Sequence, residues 1–191
     1  MGTELDVKLN AVARGKVIYS ANGKGNAWRV VSGSARLDRP GEGSGDSLFA
    51  SLAVPGDVIG AEAMVFGQYS FTAVALSPCI LSPWPGNETQ AVSESLLQIL
   101  VKAEQRTAEL VALRCGEAMT RVKRLITLLS SPAHGVHASR VYLPGRREMA
   151  EITALSTETV ARVISRFRRE GVLNSELPVT GPLPRGYFRV S

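Results

Sequence analysis

At 191 residues, 45% hydrophobic and 20% charged, the chain has the size of two small domains and the balance of an ordinary globular protein, with no apolar run long enough to cross a bilayer. Two separated cysteines, Cys79 and Cys115, and two histidines in a Pro/Gly/Ser-rich stretch, His134 and His137, exclude a structural zinc site or an iron–sulfur cluster, so neither a metal nor a cofactor is called for. The net charge of +5 is uneven: residues 1–87 carry seven basic and seven acidic side chains, 88–139 six and five, and 140–191 nine Arg against five Glu. The guanidinium fork suits phosphates and guanine edges, so the excess points to a polyanion partner at the C-terminal end.

The opening MGTELDVKLN lacks a basic segment followed by an apolar core. A cytoplasmic address is therefore expected, with no membrane partner. From residue 7 to 83 the chain reads as short strands: Lys16–Ser20, Ala27–Ser32, Ser34–Arg39, Ser47–Val54, Asp57–Ile59, Phe71–Leu76 and Cys79–Ser82. In Ser47–Leu52 the alternation puts Leu48, Ala50 and Leu52 on one face and Ser47, Phe49 and Ser51 on the other. Glycine and proline punctuate the runs, and many short strands at near-regular spacing predict a sandwich or small barrel over residues 1–87. Both cysteines are read as small buried apolar groups.

The pattern changes at Pro83-Trp84-Pro85-Gly86-Asn87. From Glu88 to about Ser130 the residues are strong helix formers, with Gly116 the single glycine, which either interrupts the helix or permits close packing. Leu96, Leu100, Ala103, Thr107 and Leu110 are spaced four, three, four, three, a coiled-coil seam that predicts a homodimer. Leu97, Val101, Ala108 and Val111 widen the stripe. Residues 88–131 are thus expected to form a long dimerisation helix and hinge.

After a loop over 131–139, Arg140–Leu143 reads as a strand, and residues 132–191 as a winged helix-turn-helix domain. The first helix covers about Arg146–Thr153, burying Met149 and Ile152, and Ala154-Leu155 makes the turn. Ser156 is placed to cap a second helix that runs from Thr157 to about Glu170, with Gly171 as its stop. Val160, Val163, Ile164 and Phe167 form its buried stripe, leaving Thr157, Glu158, Ala161, Arg162, Ser165, Arg168 and Arg169 outside. Glu158 and Arg162 are one turn apart and project from the same side. Glu accepts from a cytosine amino group and Arg donates bidentately to guanine. Val172-Leu173-Asn174 and Tyr187–Val190 would form the wing hairpin, with Arg185 near its end.

On these segments the chain resembles the Crp/Fnr family of bacterial regulators. WRVVSGSARL (Trp28–Leu37), VPGDVIGAEAMVFGQYSFTAVAL (Val54–Leu76) and, most specifically, LSTETVARVISRFRREGVL carry the likeness. It implies an α+β fold: an N-terminal β-roll sensor of the jelly-roll, cyclic-nucleotide-binding-like type, a long dimerisation helix and a C-terminal winged helix-turn-helix. It also implies a homodimer on palindromic promoter sites in double-stranded DNA, contact with RNA polymerase, and control by a small-molecule effector of unknown identity. Glu158, Arg162, Thr157 and Ala161 fall on the base-reading positions and imply a TGA-like half-site core. Ser156, Arg146, Arg168 and Arg169 fall on phosphate-facing ones. Gly60, Glu62, Ser70 and Phe71 fall in the effector cassette.

The cassette departs from the cyclic-nucleotide-binding pattern. Gly60 is followed by Ala61 rather than an acidic residue, and the position expected to clamp the cyclic phosphate is Ser70. A buried phosphate without a cation is costly. A cyclic-nucleotide-responsive regulator is therefore the alternative rather than the main expectation. A metal enzyme on the same roll is disfavoured because residues 1–87 contain no histidine. An adaptor that uses the helix-turn-helix to bind protein is disfavoured by the Arg excess.

Overall fold

The computed structural model describes residues 9–41, 47–85, 92–130, 140–175 and 187–190. The chain divides into two compact units, residues 1–106 and 107–191. Among the described residues no helix is long and apolar enough to cross a membrane.

The first unit is a β-roll. Its strands are β1 (Asn10–Val12), β2 (Val17–Tyr19), β3 (Ala27–Ser32), β4 (Ala35–Pro40), β5 (Ser47–Ala53) and β6 (Val58–Ile59), then, after a short helix α1 (Glu62–Phe66), β7 (Thr72–Ala75) and β8 (Cys79–Trp84). They form two antiparallel four-stranded sheets, ordered β1-β8-β3-β6 and β2-β7-β4-β5. Val30, Ile59 and Leu81 of the first sheet meet Tyr19, Leu37, Ala53, Ala73 and Ala75 of the second in one apolar core, joined by Ala63, Tyr69 and Cys79. Burying this set in place of water is the main drive for closing one sheet on the other.

All seven expected strands are present, and β1 and α1 are additional. The alternation read along Ser47–Leu52 does not hold. The β4–β5 register shifts between Leu37 and Asp38, where Leu37 pairs with Ser51 and Asp38 with Phe49, leaving Ala50 as the extra residue. A bulge reverses the facing of everything beyond it. Leu52 is buried while Leu48, on the opposite face, is 65% exposed.

The turn into β6 carries a polar anchor. The Val54 amide donates to Asp57 Oδ2 at 2.9 Å, and the Gly56 amide donates to Val30 O at 2.8 Å. The same Asp57 carboxylate receives the fork of Arg106 from helix α2 (Val92–Leu113), Nε to Oδ2 at 3.0 Å and Nη2 to Oδ1 at 3.1 Å. Both side chains are mostly buried. Removing one partner of such a pair strands the other charge away from water. Asp57→Ala is expected to cost about 2–3 kcal/mol, below the figure for a fully buried pair because some solvent reaches this one. Urea unfolding of the variant measures it.

The second unit holds the C-terminal end of α2, α3 (Ala118–Leu129), β9 (Arg140–Tyr142), α4 (Arg146–Thr153), α5 (Thr157–Arg169), β10 (Leu173–Ser175) and β11 (Tyr187–Val190). The strands form one antiparallel sheet, ordered β10-β11-β9. Of the two roles open to Gly116, interruption is the one observed. It lies at φ +88°, where an L side chain is strained, and the helical stretch breaks there into α2 and α3. The Arg124 guanidinium caps the end of α2, donating through Nη1 to Ala112 O at 2.8 Å and Cys115 O at 3.1 Å. A cation there offsets the negative end of the helix dipole.

The reading of both cysteines as buried is half corrected. Cys79 is buried, donates to Ser34 O at 3.2 Å, and has its thiol pKa pushed up by burial to about 11. Cys115 is exposed, because it sits on the short turn that separates the two helices. His134, His137 and the 131–139 loop lie outside the described residues, as does Arg185.

Candidate nucleic-acid interface

Helices α4 and α5 and the turn between them carry the candidate interface. At the start of α4, the Glu148 carboxylate accepts from the Gly145 amide. α4 buries Met149, Ala150, Ile152 and Thr153. It ends at Ala154 in the left-handed region, φ +51°, a conformation that costs a non-glycine residue about 1 kcal/mol. Ser156 then caps α5: its hydroxyl accepts from the Thr159 amide at 3.1 Å. α5 buries Val160, Val163, Ile164 and Phe167 and packs on α3, α4 and β10.

That burial fixes what faces outward. Thr157, Glu158, Arg162, Ser165, Arg168 and Arg169 are exposed, and Ala161 is half-buried between them and the core. Ser156 and Arg146, each at the head of its helix, are exposed as well. The Glu158 carboxyl is held below its ordinary pKa by hydrogen bonds from its own backbone amide and from the Ser156 hydroxyl, and to a lesser degree by the Arg162 charge. Arg162 leans back on its own helix, Nη2 to Thr159 Oγ1 at 3.4 Å. Arg166 pairs with Glu170 at 2.7 Å. Arg168 lies over the Phe188 ring of β11, 5.0 Å from its centroid, which ties the last turn of α5 to the wing strand.

The wing pairs as expected, Leu173 opposite Val190, Asn174 opposite Arg189 and Ser175 opposite Phe188. β11 pairs on its other side with β9, Phe188 opposite Val141. Residues 176–186 lie outside the described residues.

Two contributors escaped the sequence reading. Arg121 on α3 donates through Nε to Gly116 O at 2.7 Å and through Nη1 to Thr153 O at 3.3 Å and Ala154 O at 3.4 Å. Arg114 donates to Ile152 O at 3.4 Å. Two guanidinium groups thus satisfy carbonyls left over at the end of α4 and support the strained Ala154 turn. Only the i to i+32 and i to i+33 separations, invisible to local patterning, connect Arg121 to that turn. Arg121→Ala is expected to cost about 1 kcal/mol of stability and to weaken DNA binding for all sequences alike. The salt dependence of binding should stay unchanged, since Arg121 serves the turn and not a phosphate; thermal melts and a salt titration check both.

The seam residues Leu96, Leu100, Ala103 and Thr107 are exposed on α2, and Leu110 is half-buried. Leu97, Val101 and Val111 are also exposed. In the roll, Gly60 adopts φ +75°. The Glu62 carboxylate accepts from the Ser70 amide at 3.4 Å. Phe71 packs against the edge of the core.

No family model matches the chain. The transcriptional regulator SdrP of Thermus thermophilus is 30% identical over 154 residues, covering 78% of this chain and 75% of SdrP. The structure of TTHA1359, a CRP/FNR-family transcriptional regulator of Thermus thermophilus, aligns over 96% of this chain and 93% of its own with a TM-score of 0.60 and 25% identity. The chain belongs to the Crp/Fnr family of transcription regulators. The fold is shared more widely: TTHB099 of Thermus thermophilus, a CRP-family regulator, aligns with a TM-score of 0.69 over 95% of this chain and 92% of its own at 21% identity. Membership of the Crp/Fnr family makes the protein a DNA-binding regulator of transcription, a non-enzymatic class. It also accounts for the α+β order of roll, long helix and helix-turn-helix.

Proposed function

We propose that this Crp/Fnr regulator works as a homodimer that presents helix α5 of each copy to successive major grooves of a palindromic site. Glu158 and Arg162 read base edges, and Thr157 and Ala161 set the flanking preference. The observation that carries this reading is the sidedness of α5: Glu158 and Arg162 stand exposed one turn apart, above a fully apolar buried face. Ser156, Arg146, Arg168 and Arg169 face phosphates. The α2 stripe of Leu96, Leu100, Ala103, Thr107 and Leu110 supplies the seam between copies. Residues 1–87 act as the sensor, 88–131 as dimer helix and hinge, and 132–191 as the reading domain, in a cytoplasmic protein that engages RNA polymerase.

Salt tests this directly. A protein that neutralises several phosphates releases their counterions, so binding to a duplex site should weaken by roughly a thousandfold between 50 and 200 mM salt. A protein-binding adaptor would show no such dependence on a duplex. Fluorescence anisotropy with a labelled palindrome reads the slope.

A further inference from the structure

Tyr69 follows α1 and turns into the roll. Its ring stacks on that of Tyr19 from β2, with centroids 3.9 Å apart and planes 14° from parallel, and both residues are more than nine-tenths buried. The Tyr69 backbone is pinned to the loop between β2 and β3: its amide donates to Gly23 O at 2.9 Å, and its carbonyl accepts from the Asn22 amide at 2.8 Å. The Tyr69 hydroxyl donates to Asn26 O at 2.7 Å. The ring occupies space that two glycines leave open. A Cβ at Gly60 would lie 2.7 Å from Tyr69 Cε1 and 3.3 Å from Tyr19 Cε1, and one at Gly25 would lie 2.8 Å from Tyr69 Cζ. Among the described residues the buried Tyr19 hydroxyl has no hydrogen-bond partner within normal geometry, so what this tyrosine chiefly supplies is ring surface and volume.

This is the cassette where the family resemblance places an effector, and the residues present do not fit a cyclic nucleotide. The volume over Gly60 is filled by aromatic carbon. Burial raises the pKa of both tyrosines, and the charge of the Glu62 carboxylate adds to the rise. At the phosphate-clamping position stands Ser70, whose amide is turned to that same carboxylate. A phosphate brought here would meet the like charge of Glu62.

We propose that the Tyr69 ring, stacked on Tyr19, is a built-in occupant of the sensor cavity. It holds the roll in one state without a diffusible ligand, and cyclic nucleotides are not this regulator's effectors. The inference rests on the reading of residues 1–87 as the sensor. Cavities left by deleting buried rings take up ring-shaped apolar molecules, so the free side-chain analogue, p-cresol, is the probe.

In the full-length wild type, cyclic AMP and cyclic GMP at about 1 mM should leave Tm and DNA affinity unchanged. Tyr69→Ala should bind DNA roughly tenfold more weakly, and p-cresol should raise its Tm and restore its affinity while leaving the wild type unaltered. Tyr69→Phe keeps the ring and should behave as wild type. Tyr69→Leu, which opens a smaller hollow, carries the same test if Tyr69→Ala does not fold. Uptake of a cyclic nucleotide by the wild type, full DNA affinity in Tyr69→Ala, or a p-cresol-insensitive variant would each overturn the proposal. If the wild type bound no DNA under any condition, the DNA-reading assignment would fall, while the nucleotide and p-cresol melts would still decide what fills the cavity.

Discussion

Arg162→Ala is expected to weaken binding to the specific site by about 1–3 kcal/mol, roughly a five- to hundredfold rise in Kd, and to relax the preference at one base position. Two features of the site set this size. The guanidinium has little to leave behind in the free protein, since its partner is Thr159 Oγ1 at 3.4 Å on its own helix. Its neighbour Glu158 is held below the usual carboxylate pKa by its own amide and the Ser156 hydroxyl, which favours the accepting, ionised form. The lowered pKa of Glu158 contributes stability that is present above its unfolded-state pKa and is lost as pH falls through the folded one; full exposure makes that contribution small. Arg168→Ala provides the contrast. Its guanidinium lies over Phe188 beside the wing, so its loss should lower affinity for every sequence alike and reduce the salt slope by about one. Selection from a randomised half-site, run on both variants, separates the two roles.

Leu100→Asp is expected to abolish the dimer. Leu100 is 57% exposed and lies in the same α2 stripe as Leu96 at 50%. Large exposed apolar side chains at coiled-coil spacing are the mark of a seam that a partner covers. A carboxylate there would have to be buried unpaired, which no seam of Leu and Ala can offset. Losing the second copy also removes the second half-site contact. Affinity for a full palindrome should then fall by roughly a hundredfold or more while the isolated half-site is bound as before. Sedimentation of the variant beside a binding titration reads both effects. A variant that stays dimeric would place the seam elsewhere.

Which parts of this were legible in the sequence follows the range of the interactions. The strands and the helix-turn-helix were readable because local signals set them: turn residues between short apolar runs, the Ser156 cap, and the 3.6-residue stripe of Val160, Val163, Ile164 and Phe167. The bulge at Ala50 was not, because register is chosen by the partner strand β4. Helix α1 has five residues, too few for a periodic signal. The break at Gly116 was visible as an ambiguity, and the positive φ decides it. The contacts that tie each unit together join residues far apart in sequence: Asp57 with Arg106 and Tyr19 with Tyr69 in the roll, and Arg121 with the Ala154 turn in the second unit. No window of the sequence contains both members of any of these pairs, so packing alone reveals them.

A chemical footprint on a palindrome selected by the wild-type protein tests the central claim most directly. Two copies presenting α5 on one face of the duplex should protect two clusters about one helical turn apart, roughly 34–36 Å, and Arg162→Ala should erase the base-specific protections while keeping the phosphate ones. A single protected cluster from a chain that sediments as a monomer, or base protections that survive Arg162→Ala, would contradict it.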